Sequence, residues 1–350
     1  MKTTQKTAST AGHVTINDVA KTARVSTATV SRVLNLPETV SSRTASRVMK
    51  AVREMGYVPQ AAARNLASQR TNTIGLLMPS IGEDFFGQML RGVEAEVADS
   101  GYDLLIATQP ENNPGSSSRL PLGKHNTDGI ILFTGHIFKD TIMPLYAQHF
   151  PIVLLYESPP KDMEIPYVTV ENKDGTQKLI DHLIETHGCR NIAFLRGPKG
   201  NEDSFWREKG YRDSLTRHGI SVREELIIRG EFTEQDSKQA VLEMISKKID
   251  FDAIFGGSDE GAYGAYTALS EAGVKIPEEK IVVGFDDLTL ARFLTPALTT
   301  VRAPTERVGH EAVKQIMKLL HGGQPDSITL LPTEIVIRRS CGCNGKEGRE

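Results

Sequence analysis

Few side chains in this sequence stand at spacings that make or break bonds. The stretch GPKGNEDS, Gly197 to Ser204, has glycines but lacks the Lys-Ser/Thr ending of a phosphate-binding loop. GGSDEG, Gly256 to Gly261, approaches a nucleophile elbow, yet Glu260 stands where the second glycine belongs. His182 and His187 are five residues apart, off register for one helical face, and no H-E-x-x-H occurs. Surface or packing roles are expected for both. Cys341 and Cys343 have ligand character, but no other cysteine or histidine lies near them in sequence. Two reduced thiols on a frayed tail, and no metal, are the expectation. No enzyme and no cofactor are expected either. A different chemistry comes from Thr27, Ala28, Ser31 and Arg32. Small polar side chains followed one turn later by an arginine suit the front end of a helix that enters a DNA major groove.

These residues need a frame, and VTINDVAKTARVSTATVSRVLN (Val14 to Asn35) supplies it. Thr15 can cap a first helix, Asp18 takes its third position, and Val14 and Val19 occupy the staple positions. Ile16, Val19, Ala20 and Ala23 recur at helical spacing and make one apolar face. Arg24-Val25 is a tight connection. Ser26 is a second N-cap, and Val30, Val33 and Leu34 form the buried side of the second helix. A third helix is expected from Ser41 to Gly56, turning Thr44, Val48, Ala51, Val52 and Met55 inward. The expectation is a helix-turn-helix head over 14–59 behind a disordered arm at 1–13. A hinge helix and linker over 60–72 follow, too poor in apolar residues to be more than marginally helical alone.

From Thr73 the pattern changes. TIGLLM, DLLIAT, GIILF, IVLL, NIAFL, LIIR, AIFG and IVVGF alternate with helical stretches at 86–100, 175–187, 207–218, 235–247 and 260–272. Such alternation predicts parallel sheets covered on both faces. Nearly 280 residues exceed one doubly wound sheet, so two lobes are expected in a core over 73–340. The first would hold about 73–170 and 303–326, the second about 171–302 and 327–340, with a tail at 341–350. YVTVENKDGT and LTTVRAPTER look like crossings, and ITLLPTEIVIRRS a final pair of strands returning across the hinge. A ligand cleft belongs between the carboxyl ends of the strands.

Composition agrees with an ordinary soluble chain: 350 residues, 39% hydrophobic and 24% charged. The net charge of −3 conceals an asymmetry. Residues 1–70 carry 11 Lys and Arg against 3 Asp and Glu (11 − 3 = +8), the remainder 30 against 41 (30 − 41 = −11). A basic head on an acidic body places the polyanion at the head. No apolar run spans a membrane, the N-terminus lacks a signal-peptide core, and three cysteines are too few for a disulfide scaffold. The cytoplasm is the expected location.

The head sequence, continued by VSSRTASRVMKAVREMGYVPQAAARNLASQRTNTIGLLMP, resembles the lactose-repressor (LacI/GalR) family of bacterial transcription regulators. FFGQMLRGVE, DGIIL, HLIETHGCRNIAFLRGP, REKGYRDSL, SDEGAYGA, VGFDD and LTTVRAP look like that family's core landmarks in order. The resemblance implies a head that binds operator DNA and a core like periplasmic sugar-binding proteins. It puts Thr27, Ala28 and Arg32 at base-reading positions. A guanidinium can bond bidentately to guanine, a hydroxyl reads donor or acceptor, and a methyl suits thymine. Ser26, Thr29, Ser31 and Asn35 are better placed on phosphates, and Ser26 can cap as well. DNA contacts are also implied for Thr15 and, in the hinge, for Gln60, Ala63 and Leu66. Leu66 falls where the family wedges a leucine into a minor-groove step. Gln60 departs from the usual asparagine.

In the core, the resemblance puts Arg207 and Asp286 across a cleft, gripping neighbouring hydroxyls of a sugar. Phe232 would lie against the ligand with Phe85 as a second ring, and Ser258 and Asp259 would add polar contacts. Glu83 and Ala303 depart from the family's asparagine and glutamine. The implied protein is a homodimeric regulator, more a repressor than an activator. It would read a pseudo-palindromic operator under control of a small molecule, a sugar or sugar derivative. A phosphocarrier protein or a nucleobase corepressor is the rival switch. A solute-binding module without a DNA role is the rival class, opposed by the basic head. Without a C-terminal leucine heptad, no tetramer is expected.

Overall fold

The computed structural model describes residues 14–57, 70–109, 120–133 and 139–344. They form two units, a head and a core. The hinge positions Gln60, Ala63 and Leu66 and the arm at 1–13 lie outside the described residues.

In the head, α1 (Ile16–Ala23) starts at Thr15, whose backbone N–H and hydroxyl both donate to Asp18 Oδ2 at 3.0 and 2.6 Å. It ends on Arg24, a left-handed residue at φ 53°, and the Val25 N–H closes back on the Ala20 carbonyl. α2 (Thr27–Asn35) begins at Ser26, whose Oγ accepts the Thr29 N–H at 3.1 Å. A 3-10 turn at Pro37–Thr39 leads to α3 (Ser42–Met55), which stops at Gly56. Val19, Ala20, Ala23, Val30, Val33, Val48 and Ala51 make the small core. Its side chains are those the helical spacing selects.

The core has twelve strands and eight helices among the described residues. The first lobe is built from β1 (Thr73–Met78), α4 (Asp84–Ser100), β2 (Asp103–Thr108), β3 (Gly129–Phe133), α5 (Lys139–Tyr146), β4 (Ile152–Leu155) and β5 (Tyr167–Val170). The second contains α6 (Asn172–His187), β6 (Ile192–Arg196), α7 (Glu202–Arg217), β7 (Ile227–Arg229) and α8 (Glu234–Ser246). β8 (Ala253–Gly256), α9 (Asp259–Glu271), β9 (Ile281–Asp286), α10 (Thr289–Phe293) and β10 (Thr299–Arg302) complete it. The chain then returns to the first lobe as α11 (Thr305–Leu320) and β11 (Ile328–Leu331), and crosses again to β12 (Glu334–Val336).

The sheets run β11-β5-β4-β3-β1-β2 and β12-β10-β9-β8-β6-β7. Every pairing is parallel except β10 with β12. Each lobe is therefore a doubly wound sheet with a returning strand added at its edge, and each reverses order beside β1 or β6. One expected boundary is corrected. β11 pairs with β5, so residues 327–331 stay in the first lobe and the last crossing falls at Pro332-Thr333. The Thr333 hydroxyl donates to the Glu171 carbonyl at 3.0 Å, tying the first crossing to the last.

α11 lays Val308, Ala312, Val313 and Ile316 against the first lobe. It crosses α4 at Gly92 and Gly309, where a Cβ on Gly92 would stand 1.8 Å from the Glu306 carbonyl oxygen. The expected frayed tail is also corrected. A 3-10 turn at Arg339–Cys341 is fastened to the second sheet by Ser340, which accepts the Thr299 N–H and donates to the Val282 carbonyl. Cys341 is buried.

Candidate functional site

A cavity of about 510 Å³ opens between the carboxyl ends of the two sheets, within the usual range for small-molecule sites. Pro79, Ser80 and Glu83 reach it from the turn after β1, and Phe133 from the end of β3. Pro198 and Asn201 follow β6, Ser258 follows β8, and Asp286 ends β9. Both topological switch points thus face one space, which is where such sheets bind ligands.

Arg207, on α7, is the best-anchored group there. Its Nε donates to Asn172 Oδ1 at 2.8 Å, Nη1 to the Gly257 carbonyl, and Nη2 to Asp286 Oδ1 at 3.2 Å. Its guanidinium carbon lies 3.7 Å from the Phe285 ring centroid and 5.4 Å from that of Phe232. These contacts use three of its five N–H donors. Asn172 in turn donates to Asp203 Oδ1 at 2.7 Å. The expected placement of Arg207 and Asp286 on opposite sides of the cleft is corrected. Both belong to the second lobe and are paired with each other, at 3% and 4% exposure.

Burial pushes the Asp286 carboxyl up to about 7, against the opposing pull of Arg207. It raises Asp203 to about 6, again with Arg207 pulling down. Glu260 rises to about 7 through burial and the neighbouring carboxylates of Glu83 and Asp84. The Tyr156 phenol is raised as well, chiefly by burial.

Phe85, Phe232 and Ser258 line the cavity as expected. Asp259 does not. Its Oδ2 accepts the Leu288 N–H at 2.7 Å and its Oδ1 the Thr300 hydroxyl at 2.6 Å, so the carboxylate is spent inside the lobe. Its neighbour Glu260 faces the cavity instead. Ser258 caps α9, accepting the Gly261 N–H. Sequence reasoning missed Asp203, Glu231, Glu260, Phe86 and Phe133 as lining residues. The NED triplet at the start of α7 was one available signal: Asn201 caps that helix and Asp203, in its first turn, is buried. Ala303 is buried away from the cavity, whereas Glu83 lines it.

Across the cleft mouth, Glu202 Oε2 accepts the Ser158 N–H and hydroxyl, both at 2.8 Å. Asp84 and Thr289 are similarly joined.

On the head, Thr15, Ser26, Thr27, Ala28, Arg32 and Asn35 are exposed, and Thr29 and Ser31 half-buried. The Ser26 hydroxyl caps α2 and shares a 2.8 Å hydrogen bond with that of Thr29. Asn35 Nδ2 donates to Ser31 Oγ at 3.3 Å. Arg32 projects one turn beyond Thr27 and Ala28 from the same exposed helix.

A helix-turn-helix head joined in sequence to a two-lobed binding core defines a class of ligand-responsive DNA-binding proteins. Residues 15–60 match the family described as bacterial regulatory proteins, lacI family, and residues 180–341 the periplasmic binding protein-like domain. The chain is 33% identical to the HTH-type transcriptional repressor CytR of Escherichia coli (strain K12) over 328 residues, 93% of this chain and 96% of that one. It is 32% identical to catabolite control protein A of Priestia megaterium over 332 residues, 94% and 99% of the two chains. Among solved structures it is similar to a complex of the transcriptional regulator CelR with cellobiose (TM-score 0.68, 30% identity, 93% and 99% coverage). It is also similar to the lac repressor dimer bound to operator and the anti-inducer ONPF (TM-score 0.80, 25% identity, 94% and 99% coverage). The chain belongs to the lacI family of bacterial transcription regulators. It is a DNA-binding regulator with a small-molecule effector site in its core. No helix among the described residues is long and apolar enough to cross a membrane.

Proposed function

We propose that this regulator is a cytoplasmic repressor, without catalytic activity, that binds a pseudo-palindromic operator as a homodimer. We propose also that the core cavity takes a neutral polyhydroxylated effector, a sugar or a nucleoside-like sugar derivative. The lining carries this reading. Glu83, Asp203, Glu231, Glu260 and Asp286 supply five carboxyls, and Arg207 the single guanidinium among the lining residues. Carboxylates accept hydrogen bonds from hydroxyls and repel phosphates. Phe85, Phe86, Phe133 and Phe232 offer ring faces to the apolar side of a sugar. The CelR structure holds cellobiose and the lac repressor structure is a dimer on operator, which supports both halves of the proposal.

Two heads related by a two-fold axis read two half-sites, which one small head cannot do with unique specificity. Thr27, Ala28 and Arg32 are proposed to read bases, with Thr15, Ser26, Thr29, Ser31 and Asn35 holding the backbone. Gln60, Ala63 and Leu66 are proposed hinge contacts. Effector control requires different affinities for two lobe arrangements, and the coupling is reciprocal.

The test is selection of DNA by the full-length protein from a random pool. Anisotropy on the selected site is then followed with sugars, nucleosides and sugar phosphates. The expected outcome is a two-fold symmetric site released or tightened by a neutral sugar or nucleoside. Selection without a symmetric site, or a response confined to sugar phosphates, overturns the proposal.

A further inference from the structure

Four side chains separated widely in sequence converge at the back of the second lobe. His182 and His187 come from the last turns of α6, and Cys341 and Cys343 from the C-terminal turn. Their ligand atoms lie within 4.8 Å of one another. His182 Nε2 and His187 Nε2 are 3.3 Å apart. Cys343 Sγ stands 3.7 Å from the first and 3.4 Å from the second, and Cys341 Sγ is 3.6 Å from His182 Nε2.

These four distances match edges of a metal tetrahedron, and the remaining two lie within 4.8 Å. A tetrahedral edge is about 1.63 times the centre-to-corner length. Zinc bonds of about 2.0–2.1 Å to nitrogen and about 2.3 Å to sulfur give about 3.3–3.4 Å for N···N and about 3.6 Å for N···S. We propose that His182, His187, Cys341 and Cys343 form a Cys2His2 zinc site that fastens the C-terminal end of the chain to the second lobe.

The surroundings are those of ligands. The Thr299 hydroxyl accepts the Arg338 N–H at 2.8 Å, so its one hydrogen is directed to Cys341 Sγ at 3.2 Å. A sulfur that receives a hydrogen bond in this way suits a thiolate. His182 Nδ1 lies 3.2 Å from the Thr186 hydroxyl, which fixes the ring with Nε2 toward the cluster, as metal-bound imidazoles are fixed. Gly342, between the cysteines, has φ 91°, a conformation that side-chain-bearing residues rarely adopt. It brings both thiols of the Cys-Gly-Cys turn to one point. Two thiolates neutralise one Zn2+, and a soft S2N2 set with tetrahedral edges selects zinc over harder divalent ions. The histidines five residues apart serve because His187 is the last residue of α6 and meets His182 from the helix end.

The test uses the full-length protein, reduced, stripped with chelator and titrated with Co2+ and then Zn2+. The expected result is one tetrahedral Co2+ per chain, with a thiolate-to-cobalt charge-transfer band that Zn2+ abolishes. Zinc should also shield Cys343 from a thiol reagent and raise the thermal midpoint. Cys343→Ser and His187→Ala should each weaken zinc binding at least about a hundredfold, beyond what loss of an outer-sphere partner costs. Operator binding by the same variants reports that they are folded. Octahedral cobalt, equal zinc uptake by folded variants, or a Cys341–Cys343 disulfide that persists under excess zinc and reductant would overturn the proposal.

Discussion

The Asp84 carboxylate of the first lobe accepts the Thr289 N–H of the second at 2.7 Å, across 205 residues of chain. Asp84 is flanked by Glu83 and Phe85, and Thr289 follows Leu288; all three neighbours line the cavity. The bond therefore belongs to the arrangement in which the lobes face each other closely. Asp84→Ala removes the acceptor and favours a more open arrangement. Effector affinity should fall about threefold to tenfold, the equivalent of roughly 0.6–1.4 kcal/mol for one partly exposed hydrogen bond. Calorimetry checks it, and an unchanged affinity would deny the contact any part in closure.

Arg207 joins the cavity wall to the fold of the second lobe. Arg207→Ala leaves Asp286 buried and Asn172 short of a donor. Breaking a buried pair of this kind costs about 3–5 kcal/mol. The variant should lose its response to effector and also unfold at lower urea. Asp286→Asn keeps the shape of the group and should lose less stability. An Arg207→Ala protein as stable as wild type would show that the cluster relaxes around the gap.

The raised carboxyls predict how binding depends on pH. Asp203 at about 6, and Asp286 and Glu260 at about 7, hold protons in the folded protein that the unfolded chain has shed by about pH 4–5. Their contribution to stability is thus full below about pH 4 and is lost as pH rises through 6 to 7. An effector whose hydroxyls donate prefers the ionised carboxyls. Its affinity should weaken as pH falls from about 8 to about 6, and binding should release protons. Calorimetry in buffers of different ionisation enthalpy measures that release. Proton uptake would mean that the acids donate to the ligand.

Arg32 stands alone as a cation on the exposed front of α2. Arg32→Ala should cost about 1–3 kcal/mol on the selected operator and relax the preference at one symmetric G·C position. Equal weakening on all sequences would assign Arg32 to a phosphate.

Most of this architecture was legible because periodicity reports it. The apolar runs became strands at the expected places, and Ser26 and Gly56 begin and end their helices as their chemistry dictates. The boundary at β11 was not legible, since a strand following α11 can pair with either sheet and only its β5 register decides. Nor was the choice between Asp259 and Glu260. Adjacent residues in the first turn of α9 point about 100° apart, and the donors that orient Asp259 lie 29 and 41 residues away. The meeting of His182 and His187 with Cys341 and Cys343 is a property of topology. Their separation in sequence carries no local signal of it.

The late return of α11 to the first lobe also orders events at the ribosome. All five strands of that lobe before β11 are encoded by Val170, yet the helix that covers them begins at Thr305. The intervening 135 residues (305 − 170) take about 7–27 s to make at about 5–20 residues per second. Throughout that interval the slot for Val308, Ala312, Val313 and Ile316 is open on the nascent chain. The second lobe, nearly continuous from 172 to 302, has five of its six strands and all of its α-helices by Arg302, lacking only the edge strand β12 and the C-terminal turn. The lobe translated first waits longest for its covering helix, and its unfinished apolar face is the natural client for a chaperone during synthesis.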